Sequence, residues 1–416
     1  MISLVSLATW LRGEVQKRRL PARRRARKPV LEVLEDRNLL AFWTTVSPMP
    51  TARAFLAGTR GADARIYAIG GTSDSFSALN TVEAYNTSTG IWSTRAPLNT
   101  ARMNLAAASN FDARTYAFGG DGGEGGEVAA FSSVECYSPF SNTWTLVAPM
   151  HTGRTELAGV RGASALIYAI GGRDASFNTL NTVEAYNTQM NLWTFVAPMN
   201  TPRRLEAAAL APDGRIYVFG GMDQFGNVLN SVECYSPFSN TWSFVAPMPT
   251  PRFSLAAAPG PNGRLLVMGG QDQFFNVLNT VQSYNPSTTL WSTVVPMPTA
   301  RFGLAAALGA DSAIYAFGGE DSTFTIIATT ESLHAISGFA GAAPGGKPAL
   351  PAAIEPTSGP ENVASPGLQA NNPRVVQRTR GGDNTLLHKG AELVFAAGAD
   401  RLSADLADTL FARGSG

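Results

Sequence analysis

An all-β fold, closed into a ring of six small sheets, is predicted by three features of the 416-residue sequence. A Gly-Gly pair follows a short apolar run six times, ending at Gly71, Gly120, Gly172, Gly221, Gly270 and Gly319, at spacings of 49, 52, 49, 49 and 49 residues. Each pair is followed by Val-Glu-x-Tyr or a relative, and seven residues past five of the tyrosines stands a tryptophan: Trp92, Trp144, Trp193, Trp242 and Trp291. Between these marks lie strand-length segments such as LAAAS, TYAFGG, SVECYS and TWTLVAP, with turn residues separating them.

Each element has a local reason. The opening strand follows an arginine, and a tight hairpin then needs positive backbone dihedrals. Asp213-Gly214 and Asn262-Gly263 suit that turn, and Asp63-Ala64, Asp112-Ala113 and Asp311-Ser312 are weaker versions of it. The second strand ends in Gly-Gly, where close backbone approach is required. The tyrosine of the third strand and the tryptophan of the fourth supply large apolar area. Four such strands form one twisted sheet that cannot bury both faces alone; stacking sheets around an axis solves this, as in a propeller. The sixth unit has its Gly-Gly and Glu331 but no following tryptophan, and the missing strand stands at the other end of the chain, around Trp43. Residues 42–47 are therefore expected to complete the last blade beside residues 301–336 and to leave no open edge at the seam.

This pattern resembles the kelch repeat, and the resemblance covers residues 42 to about 337. It implies a six-bladed kelch-type β-propeller whose opening strands are innermost and begin at one mouth of a central channel. Units one and three share LNTVEAYNT, and units two and four share SVECYSPFSNTW, as a duplicated two-blade ancestor would leave them. Cys136 and Cys234 occupy equivalent positions two blades apart, too far to bridge, and read as buried free thiols.

Composition narrows the function. Charged residues are 15% of the chain and glycine and proline are abundant, which suits short strands buried on both faces. Two cysteines make no disulfide scaffold, and three histidines (His151, His334, His388) leave no material for the paired ligands of the copper radical oxidases that use related blades. The acidic insertion at residues 121–128 fits no calcium-loop spacing, and no phosphate loop, nucleophile elbow or zinc spacing occurs. No cofactor and no metal are expected.

Candidate binding residues come from comparing the units. Arg53, Arg102, Arg154, Arg203, Arg252 and Arg301 open the six innermost strands, and six guanidiniums around one axis would attract carboxylates, sulfates or an acidic peptide. The resemblance supports this, since kelch adaptors of ubiquitin ligases bind acidic peptide loops with arginines at matching positions. The rival expectation is that loop acids Asp74, Asp121, Asp174, Asp223, Asp272 and Asp321 neutralise the ring. The recurring Glu83, Glu135, Glu184, Glu233 and Glu331 read as scaffold. Two residues past each arginine the identity varies, as Phe55, Asn104, Glu156, Leu205, Ser254 and Gly303, and Asn104, Glu156 and Ser254 are the polar candidates for setting what binds. Unit four departs further, with Arg204 and Glu206. Phe76, Phe177, Phe225, Phe274 and Phe324 are expected in loops on the same face.

The chain divides into a basic leader at 1–41, the ring at 42–337, a Pro/Gly-rich linker at 338–390 and a tail at 391–416 with a possible short helix through Leu402, Leu406 and Leu410. Residues 1–28 carry nine Lys/Arg against Glu14 alone, so the positive charge belongs to the leader. LEVLEDRNLLAF at 31–42 resembles the LE-x-LE-x-R-x-LL segment of bacterial proteins thought to be exported, which implies an extracellular or envelope location rather than a cytoplasmic one. The expectation is a monomeric, non-catalytic module that binds a protein partner or anionic ligand at the channel mouth, with no nucleic acid and no membrane span. The alternative is a propeller enzyme of the sialic-acid mutarotase or epimerase type, with Arg154 and Glu156 as cation and general acid/base on a small anionic sugar.

Overall fold

The computed structural model describes residues 41–123 and 130–335, and the leader, the linker and the tail lie outside them. Six four-stranded antiparallel sheets surround one channel. Blade one comprises Ala57–Arg60, Ile66–Ile69, Val82–Asn86 and Ile91–Arg95, innermost to outermost, and blades two to five repeat this order. Blade six runs Ala305–Leu308, Ile314–Phe317 and Thr330–Ala335, and its outermost strand is Ala41–Val46, paired Ala41 to Ala335 and Val46 to Thr330. The seam is therefore closed as the repeat count required.

Hairpin turns are built as their sequences demand. Ala64, Ala113 and Ser312 take the left-handed conformation that Gly214 and Gly263 take in blades four and five. The second strands are buried along their length, except for the half-buried Leu166 that begins blade three's, because each is covered by neighbouring blades on both sides.

Aromatic contacts join blade to blade. Tyr67 meets Tyr137 at 5.6 Å, Tyr116 meets Tyr186 at 5.6 Å, Tyr168 meets Tyr235 at 5.7 Å, Tyr217 meets Tyr284 at 5.5 Å and Tyr315 meets Tyr85 at 5.4 Å between ring centroids. At the one remaining interface, between blades five and six, Leu266 and Leu333 replace both tyrosines and share one apolar cluster. Each indole N–H then donates to a carbonyl of the segment leaving the preceding blade. Trp144 reaches Ala96, Trp193 reaches Ala148, and Trp43 closes the circle on Val295, at 2.9, 3.0 and 2.9 Å. Tryptophan is thus both filler and clamp.

The six arginines that open the inner strands are completely buried. Arg102 shows the pattern: Nη1 donates to the carbonyls of Gly119 and Ser133, and Nη2 pairs with Glu135 at 2.9 Å. Glu135 also accepts from the backbone amides of Asn99 and Thr100, and so fixes the segment leading into its own blade. The carbonyl of Arg102 meanwhile accepts from Gly71 of blade one at 3.0 Å. The same bond recurs at every interface, ending with Gly319 N–H to Arg53. Here the glycines are obligatory: both residues of each pair have positive φ, and a Cβ on Gly70 or Gly71 would collide with the carbonyl oxygen of Arg102 or Ala54.

Blade five breaks the pattern, because Gln282 stands where the others have glutamate. Arg252 keeps its bonds to the Gly269 and Thr280 carbonyls but has no carboxylate, and burial lowers its pKa to about 10. Gln282→Glu is expected to stabilise the fold by about 1–3 kcal/mol through a charge-assisted bond to Arg252. Chemical denaturation of the two forms checks this; a loss of stability would mean that burying the second charge outweighs the pairing.

Candidate functional site

Burial of the arginines corrects the first expectation for the site. Arg53, Arg102, Arg154, Arg203, Arg252 and Arg301 do not face the channel mouth, because each guanidinium is spent on its own blade's glycine carbonyl and, in five blades, its glutamate. The loop aspartates do not neutralise them either. Asp74 accepts from the amides of Ser77 and Phe76, which hold its pKa down to about 2. Asp174, Asp223, Asp272 and Asp321 likewise bond backbone amides of their own loops. Arg154 cannot act as a cation toward substrate from this position.

What the mouth presents is the variable ring. The amide of Asn104 donates to the carbonyl of Phe55, Glu156 to Asn104, Leu205 to Glu156, Ser254 to Leu205, Gly303 to Ser254, and Phe55 back to Gly303, all at 2.8–2.9 Å. Six residues from six blades thus form a hydrogen-bonded cycle around the axis. All six have φ between 49° and 59°. This left-handed conformation costs a non-glycine residue about 1 kcal/mol or more, and only Gly303 avoids the cost. The fold asks for glycine here, and five blades present a side chain instead.

Those side chains divide the mouth in two. On blades two to four, Asn104 donates to Asp121 at 3.0 Å, and Thr155 donates to the same carboxylate at 2.5 Å. Glu156 pairs with Arg173 at 3.1 Å and Arg204 at 2.9 Å, and both arginines are about a quarter exposed. Ser254 is in the ring but buried. On blades five, six and one, aromatic rings pack beside the ring of residues: Phe55 against the buried Phe302, Phe302 against Phe324, and the buried Phe253 against Phe275. Phe76, Phe177, Phe225, Phe274 and Phe324 are all exposed on the loops, Phe225 by 79% and Phe274 by 72%. The cleft at the ring, lined by the six ring residues and by the residue after each of them, Glu206 included, holds only about 80 Å³, less than an ordinary metabolite pocket provides. Glu124 and Glu127 of the acidic insertion lie outside the described residues. Among the described residues no cluster of His, Cys, Asp or Glu could hold a metal ion, and no helix is long and apolar enough to cross a membrane.

These features match known repeats. The KLHDC2/KLHL20/DRC7 Kelch-repeats domain matches residues 106–319, just over half of the chain, and the Kelch motif matches residues 62–99. The chain belongs to the kelch-repeat family. Among solved structures, one described as the structure of YjhT is similar in fold at a TM-score of 0.60 and 14% identity, covering 68% of this chain and 95% of that one. No curated protein matches.

One residue of this kelch propeller stands out in the sequence only as a departure from the repeat. Glu206 occupies the position filled by Leu56, Leu105, Leu157, Leu255 and Leu304 in the other blades. It is 6% exposed, and neither carboxyl oxygen makes a hydrogen bond of good geometry. Burial raises its pKa to about 8; the Arg203 guanidinium and the amides of Glu206 and Ala158 offset this only in part, and Glu156 adds to it. Arg154 also lies within range of its charge. The unfolded chain ionises this group from about pH 4.5 upward, whereas the folded protein keeps the proton to about pH 8. Stability is therefore highest below that window and falls as pH rises through it, by about 1.4 kcal/mol per unit. Glu206→Leu is expected to remove this slope and to stabilise the protein more at pH 8 than at pH 5. Denaturation at the two pH values tests it, and equal gains at both would disprove the assignment.

Proposed function

We propose that this kelch propeller is a non-catalytic binding module that docks a protein segment on the variable-ring mouth. The observation that carries this reading is the set of five side chains held in a left-handed conformation that glycine would adopt more cheaply. An exposed crown of phenylalanines around the charged Glu156–Arg173–Arg204 cluster has the composition of a protein interface: apolar anchors beside a small charged centre that sets register. The shallow cleft favours an extended segment lying across the mouth over an enclosed metabolite. The leader's LE-x-LE-x-R-x-LL segment supports export, so the partner is proposed to be extracellular or in the envelope, and sequencing the mature N-terminus tests that location.

Selection from a displayed peptide library against the immobilised protein tests the binding face. Peptides so obtained are expected to bind wild type one to one and to lose about tenfold or more in affinity to Arg204→Ala and to Phe225→Ser with Phe274→Ser. Glu156→Gly should lose binding while keeping stability within about 1 kcal/mol, because it relieves a left-handed side chain. Peptides indifferent to all three variants would end the proposal.

Glu206 favours the second reading, an enzyme acting on a small anionic sugar, because a carboxyl with a pKa near 8 exchanges protons at neutral pH. Its burial between blades, with a leucine's place in the packing, argues for the non-catalytic reading instead. Anomer exchange of a sialic acid, followed by NMR with and without protein, separates the two. Acceleration lost in Glu206→Gln would establish the enzyme, and no acceleration removes it.

A further inference from the structure

The opposite end of the channel has a separate chemistry. The innermost strands run from the ring to this face and end, in blade order, at Arg60, Ser109, Arg161, Leu210, Pro259 and Leu308. Between them lies a cavity of about 620 Å³, within the size range of small-molecule sites. Its walls are alanine and glycine and the inner strand edges, each hydrogen-bonded on one side only. Small side chains leave the volume, and the free edges supply backbone donors and acceptors.

The six strand ends divide this cavity into halves. Blades one to three contribute two guanidiniums with a serine between them, and blades four to six contribute leucine, proline and leucine. Both cations are held in place by the preceding blade. Arg60 Nη1 donates to the Gly309 carbonyl of blade six at 3.1 Å, and the Arg161 guanidinium lies 4.0 Å from the centre of the Phe111 ring of blade two. Among the described residues neither has a carboxylate partner, and no Asp or Glu lines the cavity. The hairpin acids of this face are turned to their own blades, where Asp63, Asp112, Asp213 and Asp311 each accept from a tyrosine hydroxyl. Burial, and next the nearby charge of Arg60, lowers the pKa of Arg161, so the two cations sense one another. Arg264 also lines the rim, engaged with Ser292. Two fixed, mutually repelling guanidiniums opposite an apolar wall are preorganised for one kind of ligand.

We propose that this cavity binds a small amphipathic oxyanion, a carboxylate or sulfonate carried on a compact aliphatic or aromatic body. The anion lies between Arg60 and Arg161, and the apolar body packs against Leu210, Pro259 and Leu308. The site is distinct from the variable-ring mouth and does not depend on what binds there.

Titration calorimetry with decanoate, and fluorescence titration with anilinonaphthalene sulfonate, test the proposal on the full chain. Wild type is expected to bind each probe one to one and competitively. Affinity should fall about tenfold or more in Arg60→Gln with Arg161→Gln, and should not change in Arg65→Gln, a hairpin arginine paired with Asp63 outside the cavity. If the double variant fails to fold, the exposed Arg60→Glu alone must abolish binding, because its carboxylate would take Arg161. No saturable binding to wild type, or equal affinity in wild type and the charge variants, would overturn the site. Loss of binding in Glu156→Gln with none in the arginine variants would place the probes at the other mouth and would also refute it.

Discussion

Each blade is held to its neighbour through one buried arginine. Its guanidinium holds the first glycine of its own blade, while its carbonyl accepts from the second glycine of the preceding blade. A residue that grips two sheets at once cannot be moved outward to meet a ligand without parting them. The glutamate that balances its charge in five blades also fastens the incoming connector, so one ion pair fixes strand, turn and junction together. This explains the constancy of Arg and Gly-Gly in all six units, and of Glu in five of them, while other residues drift.

Because the scaffold is secured one layer below the surface, the two ends of the channel are free to differ. At the ring the backbone conformation is dictated by the hydrogen-bonded cycle and the side chains vary. At the other end the strand tips carry no conformational burden: two of them are arginines on blades one and three, and those of blades four to six are leucine, proline and leucine. The same six strands therefore offer two unrelated recognition chemistries, one at each end of the channel.

The fold was legible because the signals recur in register: Gly-Gly, Glu-x-Tyr and Trp mark three of four strands, and the stray Trp43 announced the seam. The place of the arginines is not legible in the sequence, for a physical reason. An arginine opening a strand reads alike whether it is solvated or paired beneath the surface, and only the structure shows that the recurring glutamates, not the loop acids, meet it. The ring position was legible through its variability, but its left-handed backbone was not, since Phe55 and Leu205 are poor advertisements for positive φ. Glu206 did leave a signal, one acid against five leucines, visible once the units are aligned residue by residue. The cationic half of the wide cavity depends on the order of strand ends around the axis, which the recurring motifs do not mark.

The seam has a mechanical meaning. Ala41 and Ala335 are paired at the same end of an antiparallel couple, so the described chain begins and finishes side by side on blade six. Tension applied between these two points peels the strands apart bond by bond, starting at the outer end, instead of shearing all their bonds together. The Trp43 clamp on Val295 sits two residues inside that end and resists the peel almost at once. A load shared by both ends is thus met first by one indole, and the other five blades stay sheltered behind it.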